Sequence, residues 1–228
     1  MTVSQNRAAS KGMIDNEYQP NSEYVQFNGP SDGPVFIFAH GAGADMTHEF
    51  MDNIACGLAA TGIRVIRFNF PYMIRRALEA KKFPPDRAPK LMAAFESVIR
   101  HYAAQPVVIG GKSMGGRIAS LLNQHHQVKG IACLGFPFHP PGKPEKQKGE
   151  HLAICERPCL ILQGERDTFG CREEVTAMAL SPQVQVVYVP DGDHSFKPRK
   201  RSGHTEQDNL AFVVEKLSEF IWSTHHEK

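Results

Sequence analysis

Short, continuous runs of apolar residues recur along the chain, and each is followed by a stretch with helical periodicity. A strand that is apolar on both faces must be covered on both, as in a parallel sheet between two layers of helices. Helix-length connections between strands also favour parallel pairing. The sequence therefore predicts an α/β fold with a mostly parallel sheet of about six to seven strands flanked by helices. The six clear strand segments are residues 34–39, 63–70, 106–110, 128–136, 159–163 and 184–189.

Domain organisation follows from the same pattern. The 228 residues contain no internal repeat and no second zone of composition, so residues 34–228 are predicted to form a single domain. Residues 1–33 form a polar lead-in whose first ~20 residues are expected to be mobile, with a weak strand signal over residues 23–27. Neither a signal-peptide core nor an apolar run of membrane-spanning length is present, so we expect no export and no membrane insertion.

Composition excludes several further classes of function. Lys and Arg number 26 against 24 Asp and Glu, a balance unsuited to a general nucleic-acid binder. The five cysteines form no CxxC pair, which indicates reduced thiols in a cytoplasmic protein. The adjacent histidine pairs and the lack of an HExxH motif predict no metal site, and no cofactor is implied. A P-loop is excluded because Pro106 stands where its first glycine is needed.

The strongest motif is Gly111-Lys112-Ser113-Met114-Gly115, placed between a strand and a helical pattern. In this G-x-S-x-G arrangement the serine occupies a strained turn, and side chains at Gly111 or Gly115 would collide with neighbouring elements. The turn exposes the hydroxyl at a helix N-terminus, where a developing negative charge is favoured. Ser113 is the predicted nucleophile.

A serine nucleophile needs a base and a group that orients the base. Asp167 follows the strand over residues 159–163, and His194 follows the strand over residues 184–189. The carboxyl ends of parallel strands meet at one edge of the sheet, so Ser113, Asp167 and His194 are predicted to form a catalytic triad. Three other acids remain rivals for the role of Asp167: Glu165, Asp191 and Asp193.

Small residues after the first core strand, from His40 to Asp45, predict the oxyanion-binding loop. Such residues let backbone N–H groups approach an oxyanion closely. We assign the amides of Ala42 and Met114 as the donors, with Gly43 as the alternative to Ala42. His40 is expected to brace this loop rather than act as a second base.

The motifs HGAGAD, GKSMGG, GERD and GDHSF resemble those of α/β-hydrolases over nearly the whole chain after residue 34. More closely, GGKSMGGR, FPFHPP and GDHSF…RSG are similar to the small hydrolase-like group that includes testis-expressed protein 30. The resemblance implies the α/β-hydrolase fold, with Ser113 as nucleophile, Asp167 as acid and His194 as base. The short region before residue 34 departs from larger hydrolases and implies reduced N-terminal strands.

The remaining features concern the substrate. Residues 137–158 are rich in Pro and Lys without an apolar period, which predicts a solvated loop and no large cap. Tyr72, Met73 and Phe138 are candidates to line an acyl pocket, against an equal expectation that they belong to the core. The basic run 197–201 is interpreted as a solvated loop, with attraction of an anionic substrate or a partner as the alternative.

Together these features predict a serine hydrolase that cleaves small carboxylic esters or related acyl compounds through an acyl-enzyme. The expected partner is a small acyl substrate, with no nucleic acid and no membrane. Two alternatives stay open from the sequence. The chain is a non-catalytic interaction protein that keeps the fold, or it uses the same site to transfer an acyl group to an acceptor other than water.

Overall fold

The computed structural model describes Tyr18, Pro20 and residues 22–226. In this part of the chain seven strands form one sheet in the order β1-β3-β2-β4-β5-β6-β7. β1 runs antiparallel to β3 at one edge, and all other neighbours are parallel, which confirms the predicted sheet. The strands are β1 (Val25–Asn28), β2 (Val35–Ala39), β3 (Arg64–Phe68), β4 (Val107–Lys112), β5 (Val128–Leu134), β6 (Cys159–Gly164) and β7 (Val184–Val189).

Six helices accompany the sheet in the described residues. They are α1 (Glu49–Ala60), α2 (Pro71–Glu79), α3 (Ala88–Tyr102), α4 (Met114–Ser120), α5 (Arg172–Thr176) and α6 (Glu206–His226), with short 3₁₀ turns over Ser22–Tyr24 and Glu150–Ile154. None of these helices is long and apolar enough to cross a membrane.

The core lies on both faces of the sheet. Along β2, Phe36 and Phe38 pack on one face with residues of α1 and α6, whereas Ile37 and Ala39 pack on the other with residues of α3 and α4. Successive side chains of a strand point to opposite faces, so a strand between two helix layers must be apolar at every position. This requirement explains the unbroken apolar run in the sequence.

The weak strand signal near the N-terminus corresponds to β1, where Val25 is buried and Phe27 is exposed. Its alternation is typical of an edge strand with one covered face. Most of the predicted mobile lead-in lies outside the described residues.

The segment over residues 137–158 is only partly the solvated loop that the sequence predicts. Residues 141–148 are exposed, but Phe138 and His139 are buried at its start, and Leu152 and Cys155 are buried near its end. Both ends pack onto the domain although they lack a helical or strand period. Within the described part of the chain, no residues form a large cap over the sheet.

Candidate active site

Ser113 follows β4 directly and precedes α4. Its backbone lies at φ 51° and ψ −114°, a conformation that costs free energy for any residue with a Cβ. Side chains at Gly111 and Gly115 would collide with the backbone of the turn and of the neighbouring strand β2. These three residues therefore form the sharp strand-to-helix turn that the motif predicts, with the hydroxyl above the sheet edge.

The structure brings Ser113, His194 and Asp167 together. The Oγ of Ser113 lies 2.9 Å from Nε2 of His194, and Nδ1 of His194 lies 2.8 Å from Oδ2 of Asp167. An ionised carboxylate only accepts hydrogen bonds, so Nδ1 carries the ring proton and Nε2 is free to accept from the serine hydroxyl. Asp167 is fully buried, and the side chain of His194 retains 24% of its exposure. The base is thus open to solvent and its orienting acid is not.

Hydrogen bonds hold the Asp167 carboxylate from two further sides. The Phe169 amide donates to Oδ1 at 2.8 Å, and the fully buried Gln163 donates from Nε2 to Oδ2 at 3.0 Å. Gln163 is itself fixed by the Phe136 amide, which donates to its Oε1 at 2.8 Å. The Phe169 ring also lies against the His194 imidazole, with 4.2 Å between ring centroids. These contacts leave the acid and the base little freedom to rotate.

The three rival acids bind elsewhere. Glu165 accepts from Arg172 at 2.6 Å and from the Asp191 amide at 2.8 Å. Asp191 pairs with Arg199, which lowers the pKa of its carboxyl to about 2. Asp193 accepts from the amides of two residues in its own loop, Ser195 and Lys197. Of these four acids, Asp167 is the one bonded to the imidazole.

The loop after β2 is braced from beneath by His40 and Tyr72. Nε2 of His40 accepts from the Phe70 amide at 3.1 Å, so its Nδ1 carries the proton and donates to the Gly41 carbonyl at 2.7 Å. The Tyr72 hydroxyl lies 3.2 Å from the Gly41 oxygen and 3.1 Å from the Ala42 oxygen. Burial lowers the pKa of His40 to about 4, so the ring is neutral near pH 7.

These braces also set the direction of the candidate oxyanion donors. Across a trans peptide, the carbonyl of one residue and the N–H of the next point in opposite directions. Fixing the carbonyl of Gly41 therefore fixes the N–H of Ala42. The second candidate donor, Met114, begins α4, and the first amides of a helix have no acceptor within it.

The candidate pocket residues are placed less favourably. Tyr72 and Phe138 are fully buried, and Met73 keeps 7% of its exposure. Neither fully buried ring offers surface to an open acyl site in this structure. Tyr72 contacts the oxyanion loop, and Phe138 packs against Phe136, with 4.7 Å between ring centroids.

Two of the four basic side chains in the run over residues 197–201 form ion pairs. Lys197 pairs with Glu206 at 3.1 Å, and Arg199 binds Asp191. Lys200 and Arg201 are exposed. Among the residues that the structure describes, no group of three or more His, Cys, Asp and Glu side chains is placed to bind a metal ion.

Sequence reasoning missed three residues that touch the triad. Gln163 contacts Asp167, Phe169 contacts His194, and Lys112 donates from Nζ to the carbonyl of His194 at 2.5 Å. Gln163 is a polar residue at the end of the otherwise apolar run CLILQ, and this is a signal that could have indicated its contact with Asp167. The contacts of Phe169 and Lys112 with His194 join residues that are distant in sequence, so no local sequence pattern predicts them.

Comparison with known proteins agrees with this architecture. Residues 32–222 match the family model of the alpha/beta hydrolase domain. An alpha-beta serine hydrolase homologue from Coxiella burnetii superposes with a TM-score of 0.63 at 21% identity, covering 86% of this chain and 89% of that chain.

Two further solved structures share the fold. A thermophilic esterase from Thermogutta terrifontis gives a TM-score of 0.66 at 17% identity, over 88% of this chain and 93% of that chain. A serine hydrolase without a lid from Xanthomonas campestris gives a TM-score of 0.62 at 18% identity, over 87% of this chain and 88% of that chain. With the family match covering most of the sequence, the chain belongs to the alpha/beta hydrolase domain family.

Proposed function

We propose that the protein is a serine hydrolase that cleaves small carboxylic esters or related acyl compounds through an acyl-enzyme. One observation carries the proposal. Ser113, His194 and Asp167 are joined by hydrogen bonds of 2.9 and 2.8 Å, with the serine on a strained turn at a helix N-terminus. This set of roles is the one that activates a serine in otherwise unrelated hydrolases.

In the acylation step the Oγ of Ser113 attacks the substrate carbonyl while Nε2 of His194 takes the hydroxyl proton. The new C–O bond forms as the carbonyl π electrons move onto oxygen. The Ala42 and Met114 amides donate to that oxyanion. Collapse of the intermediate breaks the bond to the leaving group, and the imidazolium returns its proton to the departing alcohol.

In the deacylation step water replaces the alcohol. His194 takes a proton from the water, whose oxygen attacks the acyl carbon. The same amides stabilise the second oxyanion, and Ser113 recovers its proton as the acid product leaves. Asp167 keeps the imidazole in the required tautomer throughout and stabilises the imidazolium without taking the proton itself.

Two features support a small ester as the substrate. The exposed stretch of residues 141–148 is short and polar, and no large cap formed by the described residues covers the site. The esterase and serine-hydrolase names of the structural neighbours point to the same chemistry. We also propose, on the sequence motifs alone, that the chain belongs to the small hydrolase-like group that includes testis-expressed protein 30.

We also propose a cytoplasmic location. All five cysteines are free, and Cys133, Cys155 and Cys159 are buried. Free thiols of this number fit a reducing compartment.

Turnover of a substrate panel tests the proposal. The purified protein is assayed against a short p-nitrophenyl ester, a thioester, a lactone and a peptide amide, each with a no-enzyme control. We expect ester turnover that saturates with substrate and exceeds amide turnover. No turnover of any acyl compound would contradict the proposed function.

A further inference from the structure

Lys112 is a buried lysine that the proposed mechanism does not use. It ends β4, immediately before the nucleophile, and only 9% of the residue is exposed. Lysines are rarely buried to this extent unless a partner compensates for the loss of water. Burial lowers the pKa of the ammonium to about 8. The cost of placing a charge here calls for a specific partner.

The partner of the Lys112 ammonium is the backbone of His194, the proposed base. Nζ of Lys112 donates to the carbonyl oxygen of His194, across 82 positions of sequence. The ammonium also lies 5.5 Å from the ring centroid of Phe50 and 5.9 Å from that of Phe196. Cations are attracted to aromatic faces at such distances. The rings of Phe50 and Phe196 and the carbonyl of His194 thus surround the Lys112 ammonium with groups that attract a cation.

Gly135, in the turn after β5, lies against the Lys112 ammonium and the His194 carbonyl. A methyl group at Gly135 would lie 2.8 Å from Nζ of Lys112 and 2.9 Å from the His194 carbonyl oxygen. The carboxylates of Asp167 and Asp193 act on the ammonium through space and favour its charged form. The ammonium therefore lies between the nucleophile turn and the loop that carries the base.

The backbone of the loop that carries His194 is strained, so its conformation depends on contacts with residues outside the loop. Asp191 and Phe196 flank His194 with φ of 47° and 68°, values that residues with side chains rarely adopt. Strained backbone persists only where the surrounding structure fixes it. A hydrogen bond from a charged donor is about twice as strong as one between neutral groups. Lys112 supplies such a bond at the residue whose position matters most.

We propose that Lys112 is a positioning residue that ties the His194 loop to the Ser113 turn. The inference rests on the proposed hydrolase function, because its effect is to hold the base within hydrogen-bond distance of the nucleophile. A displacement of about 1 Å in a catalytic group can cost on the order of 100-fold in rate. Lys112, the residue before the nucleophile, thereby fixes the position of His194 in the loop that follows β7.

The test compares Lys112→Met with wild type in three measurements. Methionine fills a similar volume without a donor or a charge, so it removes the hydrogen bond to the His194 carbonyl and leaves that oxygen without this donor. We expect a folded variant with a somewhat lower urea midpoint, a kcat on short esters lower by about 10- to 100-fold, and a KM within about threefold of wild type. We also expect faster amide hydrogen exchange over residues 193–196.

Lys216→Met is the matched control. Lys216 also contacts a ring, with Nζ 5.9 Å from the Phe212 centroid, but it lies on α6 in ion pairs with Glu215 and Glu219. We expect wild-type kcat and wild-type exchange over residues 193–196. A Lys112→Met protein with wild-type kcat and exchange overturns the inference, as does one whose activity falls only in proportion to a loss of folded protein.

A second variant keeps the inference testable if Lys112→Met does not fold. Lys112→Gln retains a neutral donor and loses the charge. A reduced kcat with faster exchange over residues 193–196 supports the inference, and wild-type values overturn it. If wild type itself turns over no acyl compound, the proposed function fails, and the exchange comparison alone decides whether the tether exists.

Discussion

The Tyr72 hydroxyl lies 3.1 Å from the carbonyl oxygen of Ala42, the residue whose amide is proposed to bind the oxyanion. The same hydroxyl lies 3.2 Å from the Gly41 oxygen, on the peptide that carries the Ala42 N–H. Burial raises the pKa of this hydroxyl, so it remains a donor across the working pH range. Tyr72 therefore bears on catalysis through the direction of a backbone donor.

Tyr72→Phe tests this relationship. The variant keeps the buried ring and removes the hydroxyl. Loss of one oxyanion donor costs about 100- to 1,000-fold in kcat, so loosening a donor should cost less, about tenfold, with little change in KM. Stability should fall by about 1 kcal/mol. Steady-state kinetics and urea unfolding measure both.

Tyr188→Phe serves as the control for Tyr72→Phe. Its hydroxyl lies 3.0 Å from the Thr176 hydroxyl, at an exposed position. We expect wild-type kcat in this variant. A Tyr72→Phe enzyme with wild-type kcat would show that the oxyanion loop needs no brace from this hydroxyl.

Asp167→Asn tests the identity of the acid. The amide has nearly the shape of the carboxylate, but it favours the wrong imidazole tautomer and offers no negative charge. We expect kcat to fall on the order of 10⁴-fold, as in other triads. Glu165→Gln, in the same loop, should keep kcat within about tenfold of wild type. The reverse order of the two losses would transfer the role of acid to Glu165.

The sheet was predictable because a strand covered on both faces is apolar at every position, as in Val35–Ala39. Ser113, Asp167 and His194 could be placed at one edge because each follows its own parallel strand. The partner of Lys112 could not be predicted, because it lies 82 positions away in an irregular loop. Phe138 could not be assigned to the core, since its neighbours in sequence show no period.

Acid should destabilise the protein through His40. Its pKa is about 4 in the folded protein, against ~6.5 for an ordinary imidazole. Between these values the unfolded chain binds more protons than the folded one, so the free energy of unfolding falls as pH falls through this window. From pH 7 to pH 4.5 this residue should account for a loss of about 2 kcal/mol.

Urea unfolding of wild type and His40→Gln at pH 7, 5.5 and 4.5 measures this loss. The variant cannot titrate at residue 40, so the contributions of all other groups cancel in the comparison. His40→Gln should be less stable at pH 7, and the gap should narrow as the pH is lowered. A gap that stays constant would contradict the assignment of a neutral, buried His40.

The described residues form no large cap over the site, and this predicts a preference for short acyl chains. Without a covering element, most methylenes of a long chain stay in water and gain little of the ~0.8 kcal/mol available for each buried CH₂. On p-nitrophenyl esters we expect kcat/KM to peak at about two to four carbons, with no interfacial activation. A steady rise to twelve carbons would require a long apolar groove and would contradict an open, shallow site.

Covalent labelling by a fluorophosphonate tests the central claim most directly, because such reagents react with an activated serine. Intact-mass measurement of wild type should show one adduct per chain, located on the peptide that contains Ser113, and ester turnover should disappear as the adduct forms. Ser113→Ala, with a wild-type urea midpoint, should show neither adduct nor turnover. Labelling or ester turnover at the wild-type rate in Ser113→Ala would contradict the assignment of Ser113 as the nucleophile.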